Sequence, residues 1–198
     1  MLKSPASLLF GALLSLCGAE SLFAATTLQF DPIHSTVGFK VRHLFSNVEG
    51  HFDKFTGTIV ADADHPENST VTCSIETATV DTGTAKRDAH LKSPDFFDVE
   101  KFPTMTFTSK KVNVLGPDSA DVVGDFTLHG VTKEVTLHVK FLGKGQGMMG
   151  GLTTGWEATT QIKRSDYGLV WNKLIEVTAV VGDDVDIDLQ IAADEPKK

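Results

Sequence analysis

VVGDFTLHGVTKEVTLHVKF, residues 122–141, alternates on both sides of a short break. Val122, Gly124, Phe126 and Leu128 fall on one face, against Val123, Asp125 and Thr127 on the other. After His129-Gly130 the chain returns with Val135, Leu137, Val139 and Phe141 in line. A side-chain period of two marks a strand with one face in the core, and two such runs around a tight break predict a β-hairpin. Working outward, the same alternation recurs at 34–42 (Val37, Phe39, Val41), 55–63, 70–79 (Val71, Cys73, Ile75) and 104–112 (Met105, Phe107). It continues at Trp156, Ala158, Thr160 and Ile162, and in the last strand at Val185, Ile187, Leu189 and Ile191. Turns are expected at 47–50, 64–68 and 116–118, and a glycine-rich loop at 143–151. That loop lacks the lysine-serine ending and strand–helix setting of a phosphate cradle.

Many short alternating strands joined by turns predict an all-β, antiparallel sandwich or barrel of about eight strands. The face opposite the apolar one is heavily charged, there are no aromatic girdles, and the chain ends in a charged tail. Those features argue against an outer-membrane barrel and for a soluble one, apolar inside and polar outside.

One stretch does not alternate: KRDAHLKSPDFFDVEKFPTMTF, residues 86–107. Residues 85–92 read as a short helix, stopped where Ser93 precedes Pro94. Ser93 is expected to cap a second helical turn with Pro94 at its first position, giving a helical insertion near 85–98. Phe96 and Phe97 follow as a bulky pair. An excursion of this length in a compact domain is usually functional. It reads as a lid at a barrel's mouth, with a plain sealing plug as the alternative.

At 198 residues the chain is most simply one domain, and its net charge of −8 leaves no basic stripe to neutralise phosphates. Thirteen phenylalanines accompany one tyrosine, which implies a greasy interior with few hydroxyl handles. Lys3 and the apolar run 8–16, too short to span a bilayer, read as a signal peptide, residues 1–24, with cleavage near Ala24. The mature domain, residues 25–198, is then expected to be exported, and no later apolar stretch is long enough for a helical membrane span. Cys73 is then the sole cysteine, read as a small core residue. The seven histidines, His34, His43, His51, His65, His90, His129 and His138, lack the paired spacing of a zinc site, so no metal is expected.

Five stretches resemble the YceI-like family of exported bacterial proteins: DPIHSTVGF at 31–39, KRDAHL at 86–91, DFFDVEKFP at 95–103, GDFTLHGVTK at 124–133 and RSDYG at 164–168. Glu134 departs from the proline common at that position. The resemblance implies a lipocalin-like barrel, periplasmic and often dimeric, holding a polyisoprenoid or other long-chain amphiphile as ligand, with no cofactor and no established catalytic chemistry.

A closed sheet of about eight strands has room for side chains or one small ligand. Phe39, Val41, Phe96, Phe97, Phe107, Phe126, Leu128, Trp156 and Ile162 are the candidate wall of such a tunnel, although plain core packing also explains a buried aromatic. Arg87 and Arg164 are candidates to bind an anionic head group, because guanidinium grips phosphate bidentately. A structural pairing of Arg87 with Asp88 is the alternative. His90 stands beside them at the mouth. Three functions remain open: a lipid carrier, an enzyme acting on a lipid head group at the Arg87–His90 mouth, and a ligand-free envelope or stress module. Asp88 and His90 are two apart on one helix and point away from each other, and no nucleophile motif accompanies them. The carrier is therefore preferred.

Overall fold

The computed structural model describes residues 25–147, 150–172, 174–175 and 178–196. The expected signal peptide lies outside the described residues. In chain order they form β1 (Thr26–Phe30), β2 (Thr36–His43), β3 (Ser46–Phe52), β4 (Phe55–Ala61), β5 (Thr70–Glu76), β6 (Val80–Asp81) and α1 (Ala85–Lys92). Then come β7 (Thr104–Gly116), β8 (Ser119–Leu128), β9 (Val131–Gln146), β10 (Leu152–Lys163), β11 (Leu174–Ile175), β12 (Thr178–Ala179) and β13 (Val181–Asp194).

Eight strands close an antiparallel barrel in the order β1-β4-β5-β7-β8-β9-β10-β13, with β13 returning to β1. The closing pairs are Gln29 opposite Asp194 and Phe30 opposite Ala193. β13 serves two neighbours along one edge, because Val181 to Gln190 pair with β2 instead. From β2 the sheet continues through β3 to β6, extending the wall toward α1.

The β8–β9 hairpin forms as the alternation predicts. His129 and Gly130 have φ of 51° and 74°, and positive φ at both central residues gives the turn whose twist matches its strands. Gly130 is needed for a second reason: a Cβ there would stand 2.5 Å from Cε1 of Phe102. The turn expected at 47–50 is instead at Leu44-Phe45, where Leu44 has φ of 50° and His43 pairs with Ser46. Asn47 to Gly50 are strand.

α1 spans the expected residues, and Ser93 begins one hydrogen-bonded turn after it, the Phe96 amide bonding to the Ser93 carbonyl at 3.0 Å, but no second helix is built. Ser93 Oγ donates to the His90 carbonyl at 2.7 Å and accepts from the Asp95 amide at 3.3 Å. The Asp98 amide then bonds back to the Ser93 carbonyl, with Asp98 at φ 46°, so the chain reverses instead of winding on. β9 runs to Gln146, which shortens the glycine-rich connection to 147–151. No described helix is long and apolar enough to cross a membrane.

Candidate functional site

The inward strand faces do not fill the barrel. They enclose a cavity of about 580 Å³ whose wall is apolar along most of its length. Among the lining side chains, His43, Thr84, Lys86, Arg87, His90 and Arg164 gather at the end covered by α1, and only Thr160 and Cys73 interrupt the apolar wall deeper in. Eleven of the twelve sequence candidates line this space: Phe39, Val41, Arg87, His90, Phe96, Phe97, Phe107, Phe126, Leu128, Ile162 and Arg164.

Trp156 does not. Its register sets it opposite Phe141 and Ile191 near the far end of the barrel, with its ring centroid 4.6 Å from that of Phe141. Its indole N–H donates to Thr154 Oγ1 at 2.9 Å, and the Thr154 hydroxyl donates to the Ala193 carbonyl at 3.0 Å. With buried Leu28 and Ala193, these residues pack the base. Trp156 shares the inward face, as its alternation implies, but it packs the floor.

Glycines explain why so many phenylalanines leave room. The Phe39 ring lies across Gly50, where an added Cβ would be 2.5 Å from Cζ, and the Phe107 ring lies across Gly124 at the same distance. The Phe30 ring covers Gly57 still more closely. A ring laid on a neighbouring strand's glycine adds to the wall without crossing the lumen, and it covers backbone that a glycine leaves bare.

Cys73 sits in this wall, in register with Gly57 and Phe107. Burial pushes its thiol from 9.0 to about 12, which leaves it un-ionised and unreactive near neutrality.

At the mouth, Thr82 joins Arg87 to Asp88. Arg87 Nε donates to Thr82 Oγ1 at 2.6 Å and Nη2 to the Thr82 carbonyl at 2.7 Å. Asp88 Oδ1 accepts from the Thr82 amide at 2.9 Å and from its hydroxyl at 2.5 Å. Desolvation works against the Asp88 charge, but the two Thr82 bonds outweigh it and hold the carboxyl below its ordinary value. The direct Arg87–Asp88 pairing is thus replaced by a threonine bridge that pins the start of α1. His90 turns the other way, with Nε2 2.8 Å from Asp95 Oδ2 and its ring edge-on to Phe96 and Trp171, at 5.1 and 4.8 Å between centroids. Asp88 and His90 therefore form no acid–base pair. Phe97 meets Phe52, and Phe52 meets Phe39, each at 5.7 Å between centroids, which carries an aromatic path from the excursion down the wall.

Arg164 is buried, and backbone carbonyls take its donors: Gly182 at 2.8 Å, Leu169 at 2.5 Å, Trp171 at 2.9 Å and Val181 at 3.5 Å. The head-group reading of Arg164 gives way to a structural one, because these bonds clasp residues 164–171 to the start of β13. Arg87 is the arginine with solvent and the cavity on one side. Phe52, Leu169 and Trp171 complete the mouth, and the sequence reading missed them. Trp171 and Leu169 lie in an aperiodic stretch, where RSDYG was the only signal. Among the described residues, no three of His, Cys, Asp and Glu converge as a metal would require.

A YceI-like domain model matches residues 28–193. A UPF0312 protein of Ectopseudomonas mendocina is 40% identical over 171 residues, covering 85% of this chain and 88% of the relative. A UPF0312 protein of Azotobacter vinelandii is 39% identical over 169 residues, covering 84% and 87%. Among solved structures, the Campylobacter jejuni YceI protein aligns with a TM-score of 0.69 at 31% identity, covering 79% of this chain and 90% of that one. Burkholderia cenocepacia BcnA aligns at 0.74 and 23% identity, covering 82% and 98%. A polyisoprenoid binding domain from Saccharophagus degradans, implicated in plant cell wall breakdown, aligns at 0.64 and 18% identity, covering 87% and 99%.

Proposed function

The chain belongs to the YceI-like family, and from that premise we propose that it is a carrier that holds a long-chain isoprenoid or related amphiphilic lipid inside its barrel. One observation carries the reading: the cavity is apolar along its wall and lined by polar and charged side chains at the end covered by α1, while buried side chains pack the opposite end. A tail inserted first would bury its methylenes at about 0.8 kcal/mol each and leave its head beside Arg87 and His90. The same fold serves as a polyisoprenoid binding domain in Saccharophagus degradans. Residues 1–24 direct export and the carrier works in the periplasm; cell fractionation and an intact mass beginning near Ala25 test that placement. No catalytic step is part of the reading.

The test is extraction of the purified exported protein with organic solvent followed by mass spectrometry. A recurring long-chain species is expected. Ligand restored to the stripped protein at about a hundred times its dissociation constant adds roughly 2.7 kcal/mol, a melting shift of several degrees. An empty extract together with no melting shift on adding polyprenol or ubiquinone would overturn the reading.

A further inference from the structure

A long apolar chain that leaves this cavity into water exposes every methylene it had buried, so the surroundings of the mouth matter as much as the wall. Three large apolar side chains project into solvent there: Phe45 at 89% exposure, Val170 at 70% and Leu174 at 66%. They come from separate elements that the fold brings to one rim. The Leu44 amide bonds to the Val180 carbonyl at 2.9 Å, which ties the β2–β3 turn to the base of the β11–β12 hairpin, where Leu174 pairs with Ala179. Val170 precedes Trp171, whose ring packs on Phe96 at 5.2 Å.

The rim also carries positive charge. Arg42 donates to the Phe45 carbonyl at 3.3 Å, and α1 carries Lys86, Arg87 and Lys92. Among the described residues none of these four cations lies within ion-pair distance of a carboxylate, although Asp88 feels the charges of Arg87 and Lys92 through space. On a chain of net charge −8, open positive charge beside exposed apolar tips is what an anionic lipid surface complements.

We propose that the mouth docks on an anionic phospholipid bilayer. Phe45, Val170 and Leu174 enter the head-group boundary, Arg42, Lys86 and Lys92 meet lipid phosphates, and the cavity opens against the membrane so that its lipid transfers without crossing water. The inference rests on the carrier reading for its purpose, but the surface can be tested separately.

The exported, processed protein is floated with vesicles of phosphatidylcholine alone or mixed with phosphatidylglycerol. Binding to the mixed vesicles is expected, weakening with salt. The combined Phe45→Ser, Val170→Ser and Leu174→Ser variant loses about tenfold or more in partitioning. All three side chains are exposed, so its melting temperature and its capacity to retain isoprenoid stay as in wild type. Val114→Ser, Leu115→Ser and Leu142→Ser, at exposed apolar positions toward the other end, change partitioning by less than about twofold on the same scale. Lys86→Gln with Lys92→Gln removes most of the gain from phosphatidylglycerol. No vesicle binding by wild type, or equal loss from the two serine triples, overturns the inference and leaves the rim to a protein partner or a second copy. Isoprenoid retained while the mouth triple still binds vesicles like wild type sinks the docking and spares the carrier. Vesicle binding lost in the mouth triple, with no isoprenoid ever retained, sinks the carrier and spares the docking.

Discussion

At the base of the barrel, Leu28, Thr154, Trp156 and Ala193 are held between paired strands, and a threonine hydroxyl links the indole to a backbone carbonyl. At the mouth the closure is α1, the turns after it and residues 164–172, tied down by two polar clasps: Thr82 with Arg87 and Asp88, and Arg164 with four carbonyls. Segments with few paired strands and few packed neighbours open at a lower free energy than core strands. The contrast therefore says where a ligand enters. The floor contributes stability, while the mouth trades some stability for access.

The largest expected effect is at the floor. Trp156→Ala removes an aromatic packed on Phe141 and should cost about 3 kcal/mol or more. Phe97→Ala, at the cavity side of the mouth, should cost clearly less, because its ring already borders open space. Thermal and urea melts of both variants check this. Equal losses would mean that the mouth is packed as solidly as the floor.

Next come the two arginines. Arg164→Leu leaves buried carbonyls without donors and should cost about 3 kcal/mol, with faster proteolysis between residues 164 and 172. Arg87→Leu should cost about 1 kcal/mol, since only the bonds to Thr82 and Thr84 go. Its main effect is on binding: a phosphate-headed isoprenoid should weaken more than a neutral one of equal length. Equal weakening of the two lipids would assign Arg87 to shape alone.

Gly57→Ala tests the wall between the ends. Its Cβ would collide with the Phe30 ring, and relieving that collision turns the ring toward the lumen. A cost of about 1–3 kcal/mol is expected, with a shift toward shorter retained chains in the extract. Unchanged chain length would mean that the ring escapes elsewhere and does not set the cavity's depth.

Much of this was legible before the fold was known. Alternation alone identifies the long strands, the β8–β9 hairpin and the inward residues, because each depends on one period of two. Illegible were features set by long-range geometry. Five-residue β1 has almost no pattern of its own, yet it closes the barrel against both β4 and β13. The chain turns at Leu44-Phe45, which carry no turn residue, while Asn47 and Gly50 look like a turn and are strand. Gly50 is required because Phe39 lies over it, a contact made across two strands. The candidates divide in the same way. Period placed the wall residues, but it could not tell that Trp156 packs the floor, that carbonyls take the Arg164 donors, or that Trp171 returns over His90.

The smallest effect uses Cys73 as a reporter within the wall. Burial raises its thiol from 9.0 to about 12, so between those values the native state keeps a proton that the unfolded chain has lost. The unfolded state then binds fewer protons, and stability must fall as pH rises past 9.0, continuing until the native thiol itself ionises. The slope assignable to this group approaches about 1.4 kcal/mol per pH unit. The quantity to measure is the difference between wild type and Cys73→Ala, by urea melts from pH 8 upward, which cancels the groups the two proteins share. Parallel curves would mean that water reaches the thiol freely and that the wall is not dry. Alkylation of folded protein separates the ends once more. If the mouth is the route in, Arg164→Leu should speed labelling of Cys73 by more than its loss of global stability explains. Trp156→Ala should speed it only in proportion to global unfolding. Acceleration of the reverse order would place the opening at the floor and overturn the comparison from which these expectations follow.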